Sequence, residues 1–197
     1  MYKFNNLKNK YIVWRHGESE ANKQQIIVSG LENGIYNYGL TEFGKQQVSL
    51  NAHKVKLHTS SVIVYSSPFK RCRETSSIIA HEFKIPHTIH IDYDLRERYF
   101  GNLDGLHEMY YKLVYESDIY TNLKISYGNE SVLSVQDRLI SLICRIENIY
   151  SNKTIILVTH ADVGEILQAT FEGLSPYLHR DLPKLRNAEA RILLLKY

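Results

Sequence analysis

Short apolar runs alternate with longer amphipathic stretches along this chain. Residues 11–14 (YIVW), 61–67 (SVIVYSS), 88–92 (TIHID), 154–160 (TIILVTH) and 190–197 (ARILLLKY) have the length and apolar character of buried strands. Between them, 41–57, 69–84 and 131–149 are long enough to be helices, and the last is the clearest. Its apolar positions Val132, Val135, Leu139, Leu142, Ile143, Ile146 and Ile149 fall within an arc of roughly 120°, the signature of a stripe facing a core. Ser131 stands where an N-cap belongs, and Cys144 lies nearly opposite the stripe, which points it away from the main core.

Strands alternating with helices, with near-continuous Val/Ile runs in the strands, predict a three-layer α/β/α architecture around a mostly parallel central sheet. The least regular part is 93–130, where LRERYFGNLDG is followed by a tyrosine-rich, weakly periodic stretch. It reads as a small, partly helical cap over the carboxyl ends of the strands. No fixed-period repeat, Pro-rich run or charge block interrupts the chain, so 1–197 is expected to be a single domain carrying that cap.

Composition narrows the picture. Lys+Arg 24 against Asp+Glu 21 gives a formal charge of +3, too small and too evenly spread for a nucleic-acid stripe or a membrane-binding face. The start, MYKFNNLKNK, lacks the apolar core of a signal peptide, and no window approaches the roughly 20 apolar residues of a membrane span, so the cytoplasm is the expected location. Cys72 and Cys144 fit neither a zinc pattern nor a disulfide framework and read as free thiols.

In a parallel sheet, sites form where strands end at their carboxyl side. The first strand ends in Arg15 and His16, the second in Ser66 and Ser67 with Arg71 shortly after, and the fourth in His160. Two arginines and two histidines suit one anion. Arginine offers a permanently charged planar fork that matches phosphate, and neutral imidazole is a competent nucleophile near pH 7. His16 can therefore form a phosphoenzyme while His160 donates to the equatorial oxygens, where transition-state charge spreads. An alkoxide leaving group also needs a proton donor. Glu97 in the cap segment is the candidate, because burial and a nearby dianion both raise a carboxyl pKa. Arg96 and Arg98 beside it offer a plainer alternative, a surface ion pair. Cys72 reads as inert packing rather than a reactive thiolate, and His53, His58, His81, His87, His90, His107 and His179 as surface or packing residues.

The ordered set RHGES with Asn22, SG at 29–30, LTEFG at 40–44, SSPFKRCRET at 66–75, LRERYFGNLDG at 95–105, ES at 130–131 with Arg138, and VTH at 158–160 resembles the histidine phosphatase superfamily, in the branch of cofactor-dependent phosphoglycerate mutase and its phosphatase relatives. The resemblance spans nearly the whole chain. It implies His16 as the phosphorylated nucleophile, Arg15, Arg71 and His160 as the rest of the phosphate pocket, Glu97 as the proton donor, and Asn22, Ser29 and Gly30 on the substrate side. It implies neither metal nor cofactor. Three positions depart from the pattern: Ala161 where the family usually has Gly, Cys72 where Ala is common, and Asp104 where many phosphatases carry Glu.

The reading that results is a phosphomonoesterase acting on a small phosphorylated metabolite. Mutase-type phosphoryl transfer and a noncatalytic phosphate-binding protein on the same fold are the alternatives. Mutases of the family carry a longer insertion with adjacent arginines, and a tyrosine where this chain has Phe100; no Arg-Arg pair lies between Glu97 and His160. Both features favour hydrolysis.

Overall fold

The computed structural model describes residues 4–57, 61–85, 88–119 and 127–196. Five strands, β1 (Lys10–Arg15), β2 (Val62–Ser66), β3 (His90–Ile91), β4 (Thr154–Thr159) and β5 (Ala190–Leu193), form one sheet in the order β3-β2-β4-β1-β5. β3, β2, β4 and β1 run parallel to one another, and only β5 is antiparallel, against β1. The helices are α1 (Glu20–Gln24), α2 (Leu31–Tyr36), α3 (Glu42–Ala52), α4 (Lys70–Glu82), α5 (Tyr111–Ile119), α6 (Val132–Ile149) and α7 (Ala161–Phe171). This is the mostly parallel α/β arrangement expected from the alternation of runs.

Side-chain alternation along each strand builds the two faces of the sheet. Tyr11, Val13, Ile63, Tyr65, Ile155 and Leu157 point to one face and pack with α6 and α7. Ile12, Trp14, Val62, Val64, Ile156 and Val158 point to the other, where Val48 and Ala52 of α3 and Cys72 and Ile79 of α4 cover them. A two-sided core explains why the strands read as continuous apolar runs.

The periodic stripe of α6 is buried as predicted up to Ile146, with Ser131 capping through its hydroxyl; Ile149, at the last turn, is exposed because the helix runs out past the sheet. Cys144 is exposed and Cys72 buried. The helix expected over 41–57 stops at Ala52, although Val55 and Leu57 still pack on the same cluster from an irregular turn. The strand expected over 88–92 is only His90–Ile91. α7 went unread because it is buried almost all round, between β1, α6 and a 3-10 turn at Pro176–Asp181, so no amphipathic stripe betrays it. Among the described residues, no helix is long and apolar enough to cross a membrane.

Between β3 and α6 the chain forms 3-10 turns at Tyr93–Leu95, Gly101–Leu103 and Glu108–Tyr110, then α5; residues 120–126 of this segment lie outside the described residues. Phe100, Leu103 and Val114 make a small satellite core with Ile27. Arg98, fully buried, ties α5 down by a bidentate pair with Asp118 at 2.6 and 2.7 Å and donates its Nε to the Glu130 carbonyl at 2.8 Å. Glu130 in turn accepts from Arg138 and Arg96. Gly101 sits at the crossing of 99–102 with 127–130, at φ +59°, where a Cβ would come within 1.9 Å of the Tyr127 carbonyl oxygen.

Gly101→Ala is therefore expected to destabilise the protein by about 1–3 kcal/mol, since left-handed strain and a backbone clash add. Urea denaturation checks this, and an unmoved midpoint would mean that the two segments do not cross there.

Candidate active site

Register brings the strand ends level: Arg15 stands opposite Thr159 and Ser66 opposite Val158, so His16, Ser67 and His160 emerge side by side. The His16 amide donates to the Thr159 carbonyl at 3.0 Å and the Ser67 amide to the Val158 carbonyl at 2.9 Å, extending the ladders by one residue. α4 and α7 start directly beyond β2 and β4. Arg71 occupies the first turn of α4, where the helix dipole favours anions and a cation gains nothing from the helix itself.

His16 is buried and its tautomer is fixed from both sides. Nδ1 donates to the Gly17 carbonyl at 2.7 Å, while Nε2 accepts from Arg71 Nε at 3.1 Å; the guanidinium can only donate, so Nε2 carries the lone pair. Burial, then Arg71 and Arg15, push the His16 pKa well below the ordinary histidine range, which keeps the ring neutral. Arg71 also donates from Nη2 to the Val28 carbonyl and to His160 Nδ1, each at 3.0 Å. Its Nη1 is buried with no partner among the described residues, and so is Nε of Arg15, whose Nη1 donates to the Leu185 carbonyl at 2.9 Å.

His160 is fully buried, and accepting at Nδ1 means that its Nε2 donates to Ser67 Oγ, at 2.9 Å. Burial and then Arg71 hold it neutral as well. It stands behind Arg71 rather than on the cavity wall, so in this arrangement neither ring nitrogen offers a proton to a bound anion.

Glu97 is buried, not a surface ion pair. Arg96 turns to Glu130 and Arg98 to Asp118, leaving Glu97 Oε2 at 3.6 Å from His160 Nδ1 and 3.9 Å from Arg71 Nη2, while Oε1 accepts from the Arg98 amide at 2.9 Å. Desolvation outweighs the pull of Arg71 and raises its pKa to about 7.

Arg15, His16, Arg71, Glu97 and Asn22 line one cavity of about 420 Å³. Asn22 Oδ1 accepts from Ser19 and from Asn187, and its Nδ2 makes no hydrogen bond among the described residues. Ser29 and Gly30, expected on the substrate side, do not reach the cavity. Asp104 takes both: its Oδ1 accepts from the Ser29 amide at 2.6 Å, the Ser29 hydroxyl at 2.8 Å and the Gly30 amide at 2.9 Å. Ser29 Oγ accepts from the Phe100 amide in turn, so this group staples the 26–30 loop to the cap. A Cβ at position 30 would lie 2.8 Å from the Asp104 carboxylate, a close approach that requires glycine there. Ala161 begins α7 without positive φ, so its Cβ adds no backbone strain.

The far wall holds Phe100, the position singled out against mutase transfer, and residues that sequence reasoning missed: Met109, Tyr111, Lys112 and Tyr115 from the segment after β3, Asp162 from α7, and Lys184. His107, read as a surface or packing residue, also lines the rim; His58 and His87 lie outside the described residues. Asp162 could have been noticed as an acid in the first turn of a helix following His160, where the dipole welcomes it. Arg180 and Arg98 bond it and, with His179, depress its pKa below the usual carboxylate range despite burial. Among the described residues, no three His, Cys, Asp or Glu side chains are grouped as metal ligands.

A family model described as histidine phosphatase superfamily (branch 1) matches residues 11–197. Phosphoglycerate mutase-like protein 4 of Arabidopsis thaliana is 30% identical over 190 residues, covering 93% of this chain and 78% of that protein. Metal-independent phosphoserine phosphatase of the same plant is 29% identical over 194 residues, covering 94% and 76%. The mycobacterial glucosyl-3-phosphoglycerate phosphatase superposes with a TM-score of 0.74 at 18% identity, over 95% of this chain and 99% of that one, a likeness of fold.

Burial pushes the Cys72 thiol up to about 12, against the opposing pull of Arg71. A thiol reagent at pH 8 should therefore label Cys144 alone in the folded protein and both cysteines in urea, read by peptide mass spectrometry. Native labelling of Cys72 at the rate of Cys144 would show that the wall behind His160 opens to solvent.

Proposed function

The chain belongs to the histidine phosphatase superfamily, branch 1, and on that premise we propose that it is a phosphohydrolase that releases phosphate from a small organic phosphomonoester through a phosphohistidine on His16. The observation that carries this reading is the buried, unpartnered Nη1 of Arg71 and Nε of Arg15 around a neutral His16 whose Nε2 holds a lone pair. Buried donors without acceptors cost stability, and a phosphate dianion supplies the missing acceptors and the missing negative charge together.

In the resting site the His16 lone pair is occupied by Arg71 Nε–H. An arriving phosphate oxygen takes over that donor, freeing Nε2 for in-line attack on phosphorus. Arg15, Arg71 and the free amide of Asn22 hold the non-bridging oxygens. His160 acts through Arg71, fixing the guanidinium by accepting at Nδ1, in place of the direct donation expected from its position after the fourth strand. Glu97, protonated below pH about 7, gives its proton to the leaving oxygen; its carboxylate then takes a proton from the water that attacks the phosphohistidine. In this reading 93–130 serves as a cap within a single domain. Relatives include both phosphatases and mutases. Hydrolysis is favoured because, among the described residues, the cap contributes Lys112 as its only permanent cation on the cavity wall, with no arginine pair to retain a product carboxylate and exclude water.

Two outcomes test the assignment. A rapid acid-free quench during turnover, followed by peptide mass spectrometry, should place one phosphoryl group, roughly +80 Da, on His16, and His16→Ala should abolish phosphate release; a label confined to serine would sink the mechanism. For alkyl phosphates kcat/KM should fall as pH rises through about 7, because the raised pKa leaves Glu97 of the free protein protonated only below that point. Glu97→Gln should remove this alkaline limb and lower kcat/KM, which reports formation of the phosphoenzyme and not its hydrolysis, by about 100-fold or more for alkyl esters and far less for p-nitrophenyl phosphate, whose leaving group needs no proton. Equal losses of kcat/KM on both esters would assign Glu97 a positional role only in the first step.

A further inference from the structure

Between the phosphate floor and the rim of the cavity, most polar groups are already committed. Asp162 is held by Arg98 and Arg180, and the Tyr115 ring and hydroxyl are both engaged by Arg180, whose guanidinium lies 3.0 Å from the ring centroid. His107, Glu108 and Lys112 stand at the exposed outer edge. Tyr111 differs. It opens α5, lines the cavity, and is fixed by an edge-on contact with Phe100 at 4.7 Å between ring centroids, yet its hydroxyl makes no hydrogen bond within the described residues. It shares the cavity wall with Glu97, Arg71 and Asp162, and its hydroxyl lies within electrostatic reach of all three. Burial first and Glu97 second raise its pKa, so it remains a hydrogen-bond donor at any working pH.

We propose that Tyr111 contacts the leaving alcohol directly, hydrogen-bonding a second polar group next to the ester carbon, so that preferred substrates are hydroxylated, polyol-type phosphomonoesters rather than plain alkyl phosphates. The inference rests on the phosphatase reading above. A phosphate bonded to Arg15 and Arg71 directs its ester oxygen toward Glu97, and the next atoms of the alcohol then meet the Phe100–Tyr111 wall. Ring edges there cover the carbon skeleton, and the single uncommitted hydroxyl pairs with a substrate hydroxyl. A leaving group without one strands a desolvated Tyr111 O–H, which is the cost that produces discrimination.

Glycerol 3-phosphate and n-propyl phosphate share the primary ester carbon and differ in the two hydroxyls. The ratio of their kcat/KM values should fall by about tenfold or more from the wild-type protein to Tyr111→Phe, which keeps the ring and its Phe100 contact. Inorganic phosphate, which has no alcohol, should inhibit both proteins with constants within about twofold. An unchanged ratio, an equal loss on both esters, or a much weakened phosphate inhibition would each overturn the proposal, the last two by marking Tyr111 as structural. Hydrolysis of p-nitrophenyl phosphate by the wild-type protein separates the two levels of inference. If it is absent, the phosphatase reading has failed; if it is present while the alkyl pair is not discriminated, only the assignment of Tyr111 has.

Discussion

Arg71 makes three commitments at once. Its guanidinium bonds the catalytic candidate His16, the backbone of Val28 and the second histidine, His160, and keeps one buried nitrogen, Nη1, unpaired among the described residues. Burying a permanent cation this way is costly unless negative charge is supplied, and the carboxylate within reach, Glu97, is itself pushed toward neutrality by desolvation. The site is thus held short of one anion. Both histidines stay neutral through burial first and the same guanidinium second, and the direction of its bonds decides which nitrogen of each ring is a lone pair.

Holding such a group in place requires a scaffold that resists relaxation. The level ends of β1, β2 and β4 supply it from below. From the side, the 183–189 loop does the same: Leu185 accepts from Arg15 through its carbonyl and donates its amide to Glu165 of α7, while the Ala188 amide and Asn187 bond the His16 carbonyl. Each bond is modest, about 1 kcal/mol net. Together they leave His16 and Arg15 no alternative position.

The segment between β3 and α6 is fastened differently. Its apolar core is small, and buried charge ties it to the rest: Arg98 to Asp118 and Asp162, Arg180 to Asp162, and Glu130 to Arg96 and Arg138. Ion pairs of this kind fix geometry more than they add stability. Glu97 lies between two arginines that belong to this fastening, so one short stretch supplies both a residue of the cavity wall and the ties of the segment that carries it.

The continuous apolar runs of β1, β2 and β4, the stripe of α6 and the polar residues that end each strand are local patterns, and a local pattern can be read from sequence. They determined the α/β sheet, the core face of α6 as far as Ile146, and the meeting of Arg15, His16, Arg71 and His160 at one edge. What depends on which distant group takes up a donor or an acceptor was not there to read. Ser29 and Gly30 are drawn away from the cavity because Asp104, 75 and 74 positions along the chain, claims their polar groups. Glu97 is a buried acid and not a surface pair because Glu130 and Asp118 compete successfully for its neighbouring arginines. α7 is hidden by its burial on nearly every side, and Tyr111 reaches the cavity only because α5 is pinned through Asp118. Periodicity records what one element needs from a core; the pairing of charges and hydrogen bonds is a competition among elements, and only tertiary packing decides it.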